Sequence, residues 1–397
     1  MRVLIMNHFP LEGSGSGIYT MNLAKELSGL GHKVKVVYPE LGEKTYEGFD
    51  SRVLLFSDGT QNRPDLPYNF PCFTSHPRSN NTYYNLSDKQ LKDYVDLFVK
   101  VAKEEVESFK PDIIHAQHLW ITPYAAAQTG VPYIVTAHGT DLKGFVKDKR
   151  YHPYALEGAK HAKKIITISK QVHAEVKELY GAPEEQCEIV MNGYDENLFV
   201  RKPDLNVESV LKSFHIEKTS KHIVSFAGKL THFKGIDVLL KAAKHYEKDI
   251  GDVMTLIAGN GELYDELNTL KRDLGLKNVH FLGHVNQNQL VDLYNIADVS
   301  TVPSRTEPFG LVAIEALACG TPVVGTNQGG LPDFITESVG TLVPVEDDLG
   351  LADAITHEIQ RKDKAERADA CAQYALKYFS WKHSIKSVEA LYKSLVG

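Results

Sequence analysis

The sequence predicts an α/β protein built from two doubly wound domains, each a parallel sheet with helices on both faces. Three observations carry this. Short, mostly apolar runs such as Val3–Asn7, His222–Ala227 and Val299–Val302 alternate with longer stretches at helical spacing, the pattern of strands covered on both sides. That alternation lapses over the polar segment Arg201–Lys221 and then restarts. A length of 397 residues also exceeds what one hydrophobic core usually serves. The expected division is 1–200, then 201–380, then a closing helix at 381–397 that packs back on the first domain.

In chain order, Val3–Asn7 is the first strand. The loop Pro10–Gly17, a helix from Ile18 to Leu30 and a strand at Lys33–Tyr38 complete a βαβ unit. Gly13, Gly15 and Gly17 give G-x-G-x-G rather than the G-x-G-x-x-G of dinucleotide-binding turns. A loop offering backbone amides to a phosphate or sugar therefore fits better than a nicotinamide site. Leu41–Leu91 changes texture: it is rich in Pro, Asn and Ser, with exposed-looking Tyr68, Phe70, Phe73, Tyr83 and Tyr84 and with His76 and Arg78. Such a segment is either a ligand-binding loop or a disordered insertion.

Asp88–Phe109 is an amphipathic helix. Pro111–His115 and Tyr133–Ala137 are strands, and the second runs into His138-Gly-Thr-Asp141, where catalytic groups gather in such sheets. His115 and His118 have no third ligand at recognisable spacing, so no metal is expected. Lys143, Lys147, Lys149 and Arg150 suit either an anionic acceptor or a solvated helix face. Lys164–Ser169 is a further strand, and Ile189–Asp195 the last strand and exit turn.

In the second half, strands are expected at His222–Ala227, Met254–Ala258, Val279–Leu282, Val299–Val302 and Pro322–Gly325. Helices are expected at Ile236–Tyr246, Leu263–Leu274, Gln287–Ala297, Leu311–Cys319 and Lys382–Leu395. The strand ends carry ligand-like loops. Gly228–Gly235 sets Lys229 and Lys234 in a glycine-bounded turn at a helix start, which suits a diphosphate. Asn260 and Gly261 follow the next strand, and His284 and Val285 the one after, where backbone groups can meet a base edge. Arg305–Leu311 follows the fourth, with Glu307 above the helix-start amides. Glu315 is the anomaly, a carboxylate among Val312, Ala313, Ile314, Ala316, Leu317 and Ala318. It needs a partner, either a ligand or a structural ion pair.

Composition narrows the classes. A hydrophobic fraction of 43% and a charged fraction of 24% are those of an ordinary globular protein. A net charge of −7 with no basic stripe argues against nucleic acid as a main partner. The opening MRVLIMNHF reads as a strand rather than a leader, and no apolar run approaches a membrane span. Cys72, Cys187, Cys319 and Cys371 fit neither a disulfide framework nor a metal site. A cytoplasmic protein is expected, with peripheral contact at the inner membrane face left open.

Lys229–Gly235, Gly259–Gly261, Gly283–Val285 and above all E-P-F-G-L-V-A-I-E at Glu307–Glu315 resemble family 4 glycosyltransferases. The Gly13–Gly17 loop, HGTD at His138–Asp141 and NGYD at Asn192–Asp195 are similar to that family too, so the resemblance spans essentially the whole chain. It implies the GT-B architecture: two Rossmann-like domains facing across a cleft, the first on the acceptor side and the second holding a nucleotide sugar. It also implies roles. Glu315 would accept hydrogen bonds from the ribose hydroxyls, and Glu307 would contact hydroxyls of the donor sugar. Backbone amides of Phe309, Gly310 and Leu311 would hold sugar or phosphate. Lys229 and Lys234 would neutralise the leaving diphosphate beside Gly228, with Gly15 and Gly17 closing over it. Asn260, Gly261, His284 and Val285 would line the nucleotide, and His138 would lie beside the anomeric carbon. Arg78, Tyr83, Asp141 and Lys143 are candidate acceptor contacts. Lys229 stands where the family usually has arginine, which keeps the charge and loses the bidentate fork.

The implied reaction is retaining transfer of a hexosyl group (glucose, galactose or an N-acetyl form) from a nucleotide sugar, UDP-linked by family precedent. The acceptor would be a hydroxyl on a small molecule, a glycan or a lipid-linked glycan. Breaking the sugar–phosphate bond puts negative charge on the diphosphate, which lysines and a helix N-terminus stabilise. No D-x-D sequence occurs, so the expectation is a metal-independent enzyme with no cofactor beyond the donor. A sugar-nucleotide epimerase or phosphorylase on the same frame and a non-catalytic nucleotide-sugar-binding subunit are the alternatives.

Overall fold

The computed structural model describes every residue except Ser75, Lys218, Thr219 and Gly397. Those positions of the aromatic loop, the polar segment Arg201–Lys221 and the closing helix lie outside the described residues. The chain forms two compact units, Met1–Asn192 with Ser384–Gly397, and Gly193–His383.

The first unit holds a seven-stranded sheet: β1 (Arg2–Met6), β2 (Lys33–Glu40), β3 (Asp50–Leu55), β4 (Ile113–Gln117), β5 (Tyr133–Ala137), β6 (Lys164–Thr167) and β7 (Cys187–Ile189). The order is β3-β2-β1-β4-β5-β6-β7, with every pairing parallel. Every residue of β4 and β5 is buried, as helices on both faces require. The chain winds outward in opposite directions from β1 and β4. Ligands in such sheets sit beyond the carboxyl ends of those two strands. Asn7-His8-Phe9 and Gln117-His118 occupy that place.

Leu41–Leu91 departs from its sequence reading. It contributes the edge strand β3, and Phe70, Phe73 and Tyr83 are buried rather than exposed. Phe73 and Tyr83 pack with ring centroids 4.8 Å apart, Phe73 meets Trp120 at 5.1 Å, and Tyr83 meets Tyr151 at 5.8 Å. The polar residues between them serve the loop's own backbone. Ser79 Oγ donates to the Phe70 carbonyl at 2.5 Å, and Asn81 Nδ2 to the Asn69 carbonyl at 3.0 Å. Polar composition here marks a packed loop, not a solvated one.

The second unit holds a six-stranded sheet: β8 (His222–Ala227), β9 (Val253–Ala258), β10 (Val279–Gly283), β11 (Val299–Val302), β12 (Val323–Thr326) and β13 (Gly340–Val343). The order β10-β9-β8-β11-β12-β13 is again wholly parallel, with the switch between β8 and β11. The polar segment Arg201–Lys221, over which the sequence pattern lapses, carries a helix, Val207–Ser213. Asn206 caps it by accepting from the Ser209 amide at 2.9 Å, and Val210 and Leu211 bury beneath it. The helix Trp381–Val396 begins in the second unit, and from Ser384 its residues belong to the first. There the Tyr392 hydroxyl lies 2.6 Å from His115 Nδ1, and Glu389 Oε1 2.8 Å from His32 Nε2. Among the described residues no helix is long and apolar enough to cross a membrane.

Candidate active site

In the second unit the loops after β8, β9, β10, β11 and β12 form one rim, joined mostly by backbone bonds. Gly228 N donates to the Ala258 carbonyl at 3.0 Å, Leu230 N to Asn260 at 2.9 Å, and Gly259 N to Gly283 at 2.8 Å. Across the switch point Arg305 N donates to the Phe233 carbonyl at 2.8 Å, and Gly330 N to the Glu307 carbonyl at 3.0 Å. Two glycines make the approaches possible. A Cβ on Gly235, at φ 66°, would sit 2.0 Å from the Pro303 carbonyl oxygen; one on Gly329, at φ 64°, would sit 1.7 Å from that of Glu307. Gly228, Lys229, Lys234, Asn260, Gly261, His284, Val285, Glu307, Phe309, Gly310 and Leu311 all fall on this rim. Lys229, Asn260 and His284 are exposed, whereas Phe309 and Gly310 are buried.

Arg305 clamps the rim, a role its sequence context did not reveal. Its guanidinium donates to both Asp237 carboxylate oxygens at 2.8 Å and to the His232 carbonyl at 2.8 Å, and it also pairs with Glu346. The lysine-bearing loop is thereby tied to the loop bearing Glu307. Lys234 Nζ lies 2.5 Å from Glu307 Oε2, which also accepts from Ser304 Oγ at 3.2 Å.

Glu315 sits in the helix Leu311–Ala318, and no hydrogen bond or ion pair reaches its carboxylate among the described residues. Burial pushes it up to about 8. By surface area the residue is only half-buried. The Tyr294 hydroxyl, whose titration is raised by burial and then by the Glu315 charge, is buried without a partner. An unpartnered acceptor and an unpartnered donor close enough to interact are what a ligand diol would satisfy. Tyr294 was not foreseen because a helical tyrosine ordinarily reads as core.

In the first unit, His138 Nε2–H donates to Gln117 Oε1 at 2.8 Å. The His138 ring packs 4.7 Å from His118 and 5.2 Å from Tyr19. Burial pushes His138 down to about 3, so this imidazole is neutral and acts by hydrogen bonding rather than by charge. His118 adopts φ 69°, and neither of its ring nitrogens has a partner among the described residues. His8 Nε2 accepts from the Ile121 and Thr122 amides at 3.3 and 3.2 Å, so its Nδ1–H donates to the Tyr94 hydroxyl at 2.8 Å.

The four candidate acceptor contacts do not form one surface. Tyr83 is fully buried; its hydroxyl meets that of Tyr94 at 3.3 Å and its carbonyl accepts from Tyr151, which makes it a core residue. Asp141 is also fully buried and ties two strand ends together, accepting from Leu119 N at 2.7 Å and His138 N at 3.2 Å. Arg78 forms a two-pronged pair with Glu40 at 2.5 and 3.0 Å. Arg78 and Lys143 are the exposed members of the four. Of the neighbouring cations, Lys147 lies 3.9 Å over the Tyr84 ring and Arg150 donates to the Leu86 carbonyl at 2.6 Å. The glycine loop also differs: Ser14 caps a helix that begins at Gly15, its hydroxyl accepting from Gly17 N at 3.1 Å. Gly15 is exposed in the first turn, whereas Gly17 is buried.

Comparison with known proteins matches these halves separately. Residues 13–198 match Glycosyltransferase Family 4, and residues 209–378 match Glycosyl transferases group 1. An uncharacterised glycosyltransferase of Methanocaldococcus jannaschii is 35% identical over 246 residues, covering 58% of this chain and 61% of that protein. The chain thus spans less than two thirds of that relative's length. D-inositol 3-phosphate glycosyltransferase 1 of Catenulispora acidiphila is 31% identical over 311 residues, covering 72% of each chain. The structure of Anabaena HepE in complex with UDP and glucose superposes with a TM-score of 0.76 at 20% identity, over 99% of this chain and 100% of that one. Sheet order, strand-end rim and both sequence matches agree that the chain belongs to the GT-B glycosyltransferases.

Proposed function

We propose that the chain is a retaining, metal-independent hexosyltransferase that takes its sugar from a UDP-sugar and passes it to an acceptor hydroxyl. The observation that carries this is Glu315: a partnerless carboxylate in the helix that starts at the rim holding Lys234 and Glu307. Ribose hydroxyls supply the donors Glu315 lacks. Lys229 and Lys234, with the first-turn amides of the helix at Leu311, neutralise charge that develops on the diphosphate as the sugar leaves. Glu307 accepts from hydroxyls of the transferred hexose. Retention is supported by family membership, and UDP by the HepE structure with UDP and glucose. The Catenulispora relative, named for an inositol phosphate, favours a small polar acceptor. All four cysteines are free, which suits a cytoplasmic protein.

The test incubates the protein with UDP-glucose, UDP-galactose and their N-acetyl forms, with and without inositol phosphate and other hydroxyl acceptors, in the presence of a chelator. Acceptor-dependent UDP release and an unchanged anomeric configuration by NMR are expected. Conversion of a UDP-sugar without acceptor would establish an epimerase instead. Loss of activity in chelator would remove the metal-independent mechanism.

A further inference from the structure

Under the reading above, Lys234 and Glu307 each face the donor, yet in this structure they face each other. Their ion pair is 2.5 Å long, with Glu307 8% exposed and Lys234 27%. It is not a casual surface contact. Arg305 and the Gly330 amide fix the backbones on both sides, so only side-chain rotation separates the two groups. A carboxylate this buried needs donors, and Lys234 and Ser304 supply them.

We propose that the Lys234–Glu307 ion pair makes the site selective for an intact nucleotide sugar over the spent nucleoside diphosphate. The inference rests on the glycosyltransferase reading. An arriving diphosphate competes with Glu307 for the Lys234 ammonium. An intact donor compensates Glu307 at once, because its sugar hydroxyls donate to the carboxylate that Lys234 leaves. A free nucleoside diphosphate offers Lys234 its phosphate oxygens but brings no hydroxyl to Glu307. It must either strand a buried carboxylate or bind without Lys234, and both lower its affinity. After transfer, the reforming ion pair helps to expel the product. The opposing arrangement is a lysine that keeps both partners, since an ammonium has three N–H donors.

Glu307→Gln keeps the shape, removes the charge and leaves an oxygen for Ser304. Calorimetry with UDP, ADP and GDP, and with the matching nucleotide-hexoses, is run on the wild type, Glu307→Gln, Lys234→Met and the double variant, with circular dichroism to confirm folding. Glu307→Gln is expected to bind the nucleoside diphosphate about five- to tenfold more tightly and the nucleotide sugar at least about tenfold more weakly. In the Lys234→Met background the gain for the diphosphate should vanish. An unchanged or weaker diphosphate affinity in Glu307→Gln overturns the proposal, as does a gain that survives in the double variant, since that would be plain charge repulsion. Should Glu307→Gln fail to fold, Glu307→Asp, which draws the carboxylate back by one methylene, should tighten diphosphate binding by a smaller factor; no tightening overturns the proposal. A wild type that binds none of the nucleotides refutes the glycosyltransferase reading itself.

Discussion

The two units share a strand order and a switch point, yet their carboxyl edges are built in opposite ways. In the first, the edge is sealed: His8, Gln117, His118, His138 and Asp141 are buried, and side chains do the bonding. In the second, backbone amides and carbonyls do most of the joining, and charged side chains stand at the rim. One topology can thus present either a neutral, water-poor wall or an ionic grip, and the choice lies in a few residues past each strand end. The difference teaches where each unit is sensitive, to protons in one and to ionic partners in the other.

Acid should break the comparison most sharply. Burial pushes His8, His115 and His138 down to about 3 and His118 well below its ordinary value. Each binds a proton more readily unfolded than folded. Their contribution is therefore intact above about 6.5 and is lost as pH falls towards 3. The slope is roughly 1.4 kcal/mol per pH unit for each proton taken up. Asp141, raised to about 6, has the opposite sign and offsets one of the four over part of that range. Hydrogen exchange across pH 7 to 4 should show amides of β4 and β5 losing protection before those of β8 and β11; equal loss would mean the sealed edge is not the acid-sensitive one.

Next in size, Lys234→Ala should lower kcat by about 10²–10³ with an unchanged circular dichroism spectrum, as loss of a charge aimed at the leaving group does. Near-normal turnover would take Lys234 out of the ionic grip. Glu315→Ala should weaken UDP binding by roughly 1.5–3 kcal/mol in calorimetry, the usual worth of hydrogen bonds to a charged group. The same residue gives the second unit its own pH signature. Raised from 4.5 to about 8, Glu315 binds protons more readily folded than unfolded, so stability falls as pH rises between those values. Ligand-free Glu315→Gln should accordingly gain in Tm over the wild type at pH 8 and not at pH 4.5; an equal gain at both would show the carboxylate is not desolvated. The smallest effect is Tyr392→Phe, which removes the bond to His115 and should cost about 1 kcal/mol in urea unfolding without altering kcat.

Much of the fold was legible because periodicity and position agree. β8 and β11 fall where their apolar runs predict, and the helix Leu311–Ala318 ends one residue short of its predicted limit. Val207–Ser213 was missed because a helix of 7 residues has no room to display a period. Phe70, Phe73 and Tyr83 were misread because neighbouring Ser and Asn look like solvent-facing residues while they satisfy loop backbone. The rim residues of the second unit were readable as a motif, but their couplings were not. Lys234 and Glu307 lie 73 positions apart, and Arg305 and Asp237 lie 68 apart. Only folding shows that these groups meet. His138 was singled out from its strand end, whereas Gln117, the group it bonds, has no local signal at all.

The backbone stitching of the second unit has a consequence for how such a protein can change. Where amides and carbonyls hold the loops, the exposed side chains at Asn260 and His284 are not part of the scaffold. They can be exchanged one at a time without rebuilding the rim, so a new nucleotide or sugar preference is reachable by single substitutions. The sealed edge of the first unit offers less freedom, because there the side chains of His8, Gln117, His138 and Asp141 are bonded to neighbouring groups. Adaptation to new donors should therefore come cheaply and to new chemistry near His138 only in concert, and a mutational scan for altered donor use is the place to look for that asymmetry.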